Sequence, residues 1–129
     1  MYSAMILLRI FHASRSSSLN KMTKTQKANF RMSSAWKVFR SNMKKKASCI
    51  DWVTKKPLSK TWNLHHLDLR SEHYKDISDP ERFMPLNEDT HEFVHWLYRH
   101  WLKDKGILDR LNLVCIGMFA KTHDKQEEK

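Results

Sequence analysis

The sequence predicts a small α+β fold in a single domain. Three observations lead there. Two short stretches with strand character, Trp62–Leu67 and Arg82–Leu86, flank a polar loop that contains Pro80. A helical pattern precedes them and another follows, each with apolar residues three and four positions apart. The chain is 129 residues long, enough for one compact core and no more.

Residues 1–34 contain Lys and Arg, are rich in Ser and hold no acid. Residues 12–34 show no sustained period, so the segment reads as a disordered basic leader or arm. The first 31 residues also match the composition of an organellar transit peptide, or of sequence upstream of a later start at Met22. Ser33 or Ser34 can cap a helix from about Ala35 to Lys46. Trp36, Phe39 and Met43 form its apolar stripe, and Lys37, Arg40, Lys44, Lys45 and Lys46 make it a basic amphipathic helix.

Residues 50–61 read as a turn-rich connector with a short strand at Ile50–Val53. The first main strand follows at Trp62–Leu67, then a loop over residues 69–81, then the second strand at Arg82–Leu86. Asn87 is placed to cap a helix from Glu88 to about Leu102, with Glu88 and Asp89 in the first turn, where the helix dipole favours acids. A short helix is expected at residues 103–111, broken near Gly106. Leu113–Phe119 fits either a strand or a helix end. The domain is expected to span residues 35–121, with a charged tail at 122–129.

Charge is unevenly spread. Residues 1–50 carry 11 Lys or Arg and no Asp or Glu, whereas the remainder is nearly neutral, for a formal net charge of +10. The basic part suits contact with phosphate. Cys49 and Cys115 are too few and too far apart for a disulfide framework, a CxxC redox motif or a zinc ribbon. With no convincing secretory signal, an intracellular, cytoplasmic setting follows. Only two Gly are present and no glycine-rich phosphate loop occurs, so no nucleotide or other small-molecule cofactor is indicated. No apolar run approaches the roughly 18 residues of a membrane span.

Six of the eight His fall between residues 65 and 100. His91 and His95 are four apart on the expected helix, about 40° apart in direction, and so project from one face. His65 and His66 are adjacent on the expected strand and point to opposite sides. That combination suits metal-assisted phosphodiester hydrolysis. Two or three His hold a divalent ion with open positions, and a separate neutral His takes a proton from water. His91-Glu92-Phe93-Val94-His95 also reads HExxH, which keeps a zincin-like protease as a distant alternative.

The stretch Trp62–Trp101 resembles the HNH, or ββα-metal, nuclease motif. Asn63-Leu64-His65-His66-Leu67-Asp68 is similar to its first strand with the His doublet. Arg82-Phe83-Met84-Pro85-Leu86-Asn87 is similar to the second strand, and Thr90–Leu97 to the closing helix of phage-encoded HNH proteins. Asp51–Leu58 resembles the segment that leads into the doublet in such proteins.

The resemblance implies an α+β domain with a ββα-metal motif preceded by the basic helix, and a metal-dependent endonuclease acting on DNA. It implies His65, His91 and His95 as metal ligands and His66 as general base. The cofactor is one divalent metal ion: imidazoles favour Zn or Ni over Mg, while the family is commonly used with Mg or Mn. Arg40, Lys44, Lys45, Lys46 and Arg82 are the candidate DNA contacts. One departure stands out. The family's central Asn, which orients the base, falls where this chain has Arg82, nine residues before His91. A backbone carbonyl or Asp79 is left to orient His66. The same departure supports the alternative of a non-catalytic DNA-binding protein that retains the fold. The family's structural-zinc CxxC pairs are absent, so Trp36, Trp52, Trp62, Phe83, Phe93, Trp96 and Trp101 are expected to supply the core instead.

Overall fold

The computed structural model describes residues 21–124. Among the described residues, four α-helices and a two-stranded antiparallel sheet make a small α+β arrangement. Two compact units follow one another along the chain, with the boundary between Glu88 and Asp89.

The first unit opens with α1, Lys24–Met32. Over Lys24–Met32 this corrects the expectation of a disordered arm. The cause is a capping box: the Gln26 backbone N–H donates to Thr23 Oγ1 at 3.1 Å, and the Thr23 N–H donates to Gln26 Oε1 at 2.8 Å. Residues 1–20 of the expected leader and 125–129 of the expected tail lie outside the described residues.

Ser33 separates α1 from α2, Ser34–Lys46, with extended backbone. Its hydroxyl accepts from the Trp36 N–H, so Ser33 is the cap. Lys44, Lys45 and Lys46 fill the last turn of α2, where positive charge opposes the helix dipole favourably. Trp36 and Met43 are buried, and Phe39 packs beside them.

The connector holds no strand, only a bridge between Ile50 and Pro57. It is organised by Asp51, whose side chain is fully buried. Asp51 Oδ1 accepts from the Val53 and Thr54 N–H groups and Oδ2 from the Asn87 N–H, each at 2.8 Å.

Strands β1, Asn63–His66, and β2, Phe83–Leu86, pair in register, with His66 opposite Phe83 and Leu64 opposite Pro85. Arg82 lies in a single 3-10 turn ahead of β2. Two four-residue strands are marginal alone. Here Leu64 and Phe83 join Trp36, Met43 and Trp62 in one core, flanked by Phe30, Phe39, Leu58 and Ile77. Asn87 caps no helix with its side chain, which accepts from the Ser59 N–H and donates to the Pro57 carbonyl.

The second unit contains α3, Glu88–Lys103, and α4, Ile107–His123. The region expected to divide into a short helix and an undecided apolar run is one helix of 17 residues. The aromatic core is smaller than expected: Trp36, Trp62 and Phe83 are buried, whereas Trp52, Phe93 and Trp96 are exposed. No described helix is long and apolar enough to cross a membrane.

Candidate metal centre

On β1, alternation places His65 and His66 on opposite faces. His66 shares the face of Leu64, towards the core. Its ring is stacked between Tyr74, at 4.5 Å and 9°, and Trp36, at 5.5 Å and 13°. Phe83 meets it edge-on at 4.9 Å. His66 Nε2 lies 3.1 Å from the Tyr74 carbonyl oxygen. A carbonyl only accepts, so we assign the proton to Nε2. In the neutral ring, Nδ1 then carries the lone pair. Burial pushes the His66 pKa below 6.5, the Tyr74 hydrogen bond opposes that shift, and the charges of Lys27 and Arg31 add to it. His66 is therefore neutral at pH 7 and able to accept a proton.

Of the two groups expected beside His66, the backbone carbonyl is the one its ring meets. Asp79 faces Arg82 instead, at 3.6 Å. Tyr74 is itself held by α1: Arg31 Nη1 donates to its hydroxyl at 2.9 Å, Lys27 Nζ sits 4.9 Å from its ring centroid, and Phe30 packs against its edge at 5.8 Å.

On α3, the four-residue spacing brings His91 Nε2 and His95 Nε2 to 3.2 Å, with the rings nearly perpendicular. Two nitrogens on a tetrahedral ion, each about 2.0–2.1 Å from it, stand about 3.4 Å apart. The pair lies close to that separation. With His65 of β1, they make a group of three His that could hold a metal ion. All three are half-buried. Burial, with the Arg99 charge, lowers the His95 pKa and favours the neutral, ligating form. An all-imidazole donor set fits Zn, Ni, Co or Cu more readily than Mg.

The candidate phosphate contacts divide into two groups. Lys45 and Lys46 are exposed on α2, and Lys44 is half-buried, 5.8 Å from the Trp62 ring. Arg40 is largely structural: Nη2 donates to the Trp62 carbonyl at 2.6 Å, and the guanidinium lies 3.8 Å over the Trp62 ring. Arg82 stands among carboxylates, with Nη1 3.1 Å from Asp76 Oδ2.

Sequence reasoning missed Tyr74, Arg31 and Asp51. Tyr74 acts through its backbone oxygen and ring from an aperiodic loop, which leaves no local signature. Arg31 was findable, because Thr23-Lys24-Thr25-Gln26 spells the capping box that starts its helix. Comparison with protein-family models, curated proteins and solved structures yields no match to this chain.

Proposed function

We propose that this protein is a metal-dependent endonuclease of the HNH, or ββα-metal, kind that hydrolyses DNA phosphodiester bonds. One observation carries the reading. Consecutive residues of β1 have complementary chemistry: His65 belongs to an imidazole cluster, and His66 is a neutral imidazole with one nitrogen already committed.

Phosphodiester hydrolysis needs a base for the attacking water and positive charge near the phosphate. His65, His91 and His95 would hold one divalent ion, drawn from Mg, Mn, Ni or Zn, through imidazole nitrogens. When bound, such an ion supplies Lewis-acid stabilisation of charge on phosphate oxygens. His66 Nδ1 receives the water proton while Nε2 keeps its own on the Tyr74 carbonyl. The flanking rings of Trp36 and Tyr74 fix the direction of that lone pair before substrate arrives. Lys44, Lys45 and Lys46 attract the DNA backbone. One base per chain cuts one strand, so a single copy nicks.

Arg82 at the place of the expected Asn favours a second reading, a DNA-binding protein without cleavage. A supercoiled plasmid incubated with the protein and Mg, Mn, Ni or Zn separates the two. Conversion to open circle in at least one metal, abolished by chelator, supports the nuclease. Retarded but uncut plasmid in every metal supports the second reading. Hydrolysis of casein without nicking would instead favour the HExxH protease.

A further inference from the structure

We infer that Arg82 is the positioning residue for His66, acting through the loop that carries the Tyr74 carbonyl. This rests on the reading of His66 as the base, and it gives the departure from the expected Asn a physical role.

The loop between β1 and β2 closes at its foot, where the Leu67 N–H donates to the Arg82 carbonyl at 2.8 Å. Tyr74 sits near the middle, away from the sheet ladder. Its carbonyl holds His66 only if the backbone on both sides is fixed. Upstream, His73 Nδ1 lies 2.7 Å from Asp68 Oδ2. Arg70 holds the same carboxylate with two donors, Nε to Oδ1 at 2.9 Å and Nη2 to Oδ2 at 2.7 Å. Downstream, Asp76 Oδ2 accepts from Arg82 Nη1 at 3.1 Å. The same guanidinium reaches Asp79 Oδ2 at 3.6 Å through Nε and Asp68 Oδ2 at 4.0 Å through Nη1.

One side chain thus touches carboxylates near the start of the loop, just past Tyr74, and near the loop's end. Arginine suits this because its planar fork presents several donors in fixed directions at once. Lysine offers one point charge and can serve only part of the set. Each pair is partly exposed and contributes little to stability on its own. The clamp therefore sets where the Tyr74 carbonyl stands more than whether the chain folds. It also makes Arg82 a poor free phosphate ligand, since DNA would have to displace three carboxylates.

The test uses the full chain at pH 7.5, with wild type, Arg82→Ala, Arg82→Lys and Asp76→Asn, and circular dichroism to confirm folding. Ring 15N NMR of metal-free protein reports which His66 nitrogen holds the proton. Wild type is expected to show the Nε2–H form. Arg82→Ala should show a mixture of both forms, Arg82→Lys should recover part of the preference, and Asp76→Asn should reproduce part of the loss. In the plasmid assay, Arg82→Ala should lower kcat about tenfold or more with KM nearly unchanged. An unaltered Nε2–H signal in both Arg82→Ala and Asp76→Asn overturns the inference. A raised KM with unchanged kcat also overturns it, and makes Arg82 a DNA contact. If Arg82→Ala does not fold, Asp76→Asn carries the same readouts. A tautomer change in the variants of a protein that cuts no plasmid supports the positioning role while removing the nuclease reading.

Discussion

His65 and His66 are neighbours with opposite surroundings because successive strand residues face opposite ways. The doublet, the opposite faces of its two rings and the four-residue spacing of His91 and His95 were legible in the sequence. A backbone carbonyl beside His66 was among the expectations, but that Tyr74 supplies it was not legible, because a backbone carbonyl has no residue identity. Two expectations follow for individual side chains. Replacing His91 or His95 with Ala should each lower bound metal from one ion per chain to well below half, measured by elemental analysis after dialysis. His66→Ala should retain the ion; full retention in both ligand variants would remove the proposed centre. The pH dependence has a definite sign. Burial lowers the His66 pKa from 6.5, so the unfolded chain binds the proton first as pH falls. The stabilising contribution is whole above about pH 6.5 and is lost as pH falls through the lowered value. The urea midpoint of metal-free protein should therefore fall from pH 7.5 to 5.5, and fall less in His66→Phe. A midpoint that rises on acidification contradicts the buried, neutral assignment. Asp51 makes a larger demand on the fold. Asp51→Ala leaves three backbone N–H groups without their acceptor and should cost about 3–5 kcal/mol in urea unfolding, with Asp51→Asn milder.

Among the elements, α2, β1, β2 and α3 were readable within a residue or two, because each combines a clear period with a boundary signal. Ser33 before α2 is an example. The helix α4 was not, because Leu113–Phe119 is apolar on every side and includes a β-branched pair and Gly117, which blurs the period. Phe93 and Trp96 of α3 are exposed where core was expected, for a related reason. Periodicity gives a face, while burial depends on what the face meets. The helix α1 has the largest consequence. It falls within the stretch that reads as a disordered arm, yet its Arg31, Lys27 and Phe30 all contact Tyr74, the residue beside His66. Removing residues 1–22 should leave folding and nicking unchanged. Removing residues 1–32 should lower stability by about 1–3 kcal/mol through loss of the Phe30 contacts, and slow nicking as well. Equal activity in the two truncations would show that α1 does not support the base.

Across the whole molecule, charge and chemistry are separated along the chain. The acid-free first 50 residues carry the excess of +11, while His65, His66, His91 and His95 lie in the nearly neutral remainder. The exposed Lys45 and Lys46, with Lys44, place part of that excess on α2, the helix whose Trp36 stacks on His66. Replacing all three with Gln should weaken DNA binding and reduce the slope of log affinity against log salt by about 2–3. An unchanged slope would show that these lysines do not meet phosphate. The central claim is that His66 removes a proton from water while other His hold the metal. Its most direct test is plasmid nicking by wild type and His66→Ala, assayed together in Mg, Mn, Ni and Zn, with metal content measured on the same samples. Nicking by wild type, at least a hundredfold loss in His66→Ala, and equal bound metal in both are the expected results. Nicking by His66→Ala at the wild-type rate would contradict the claim.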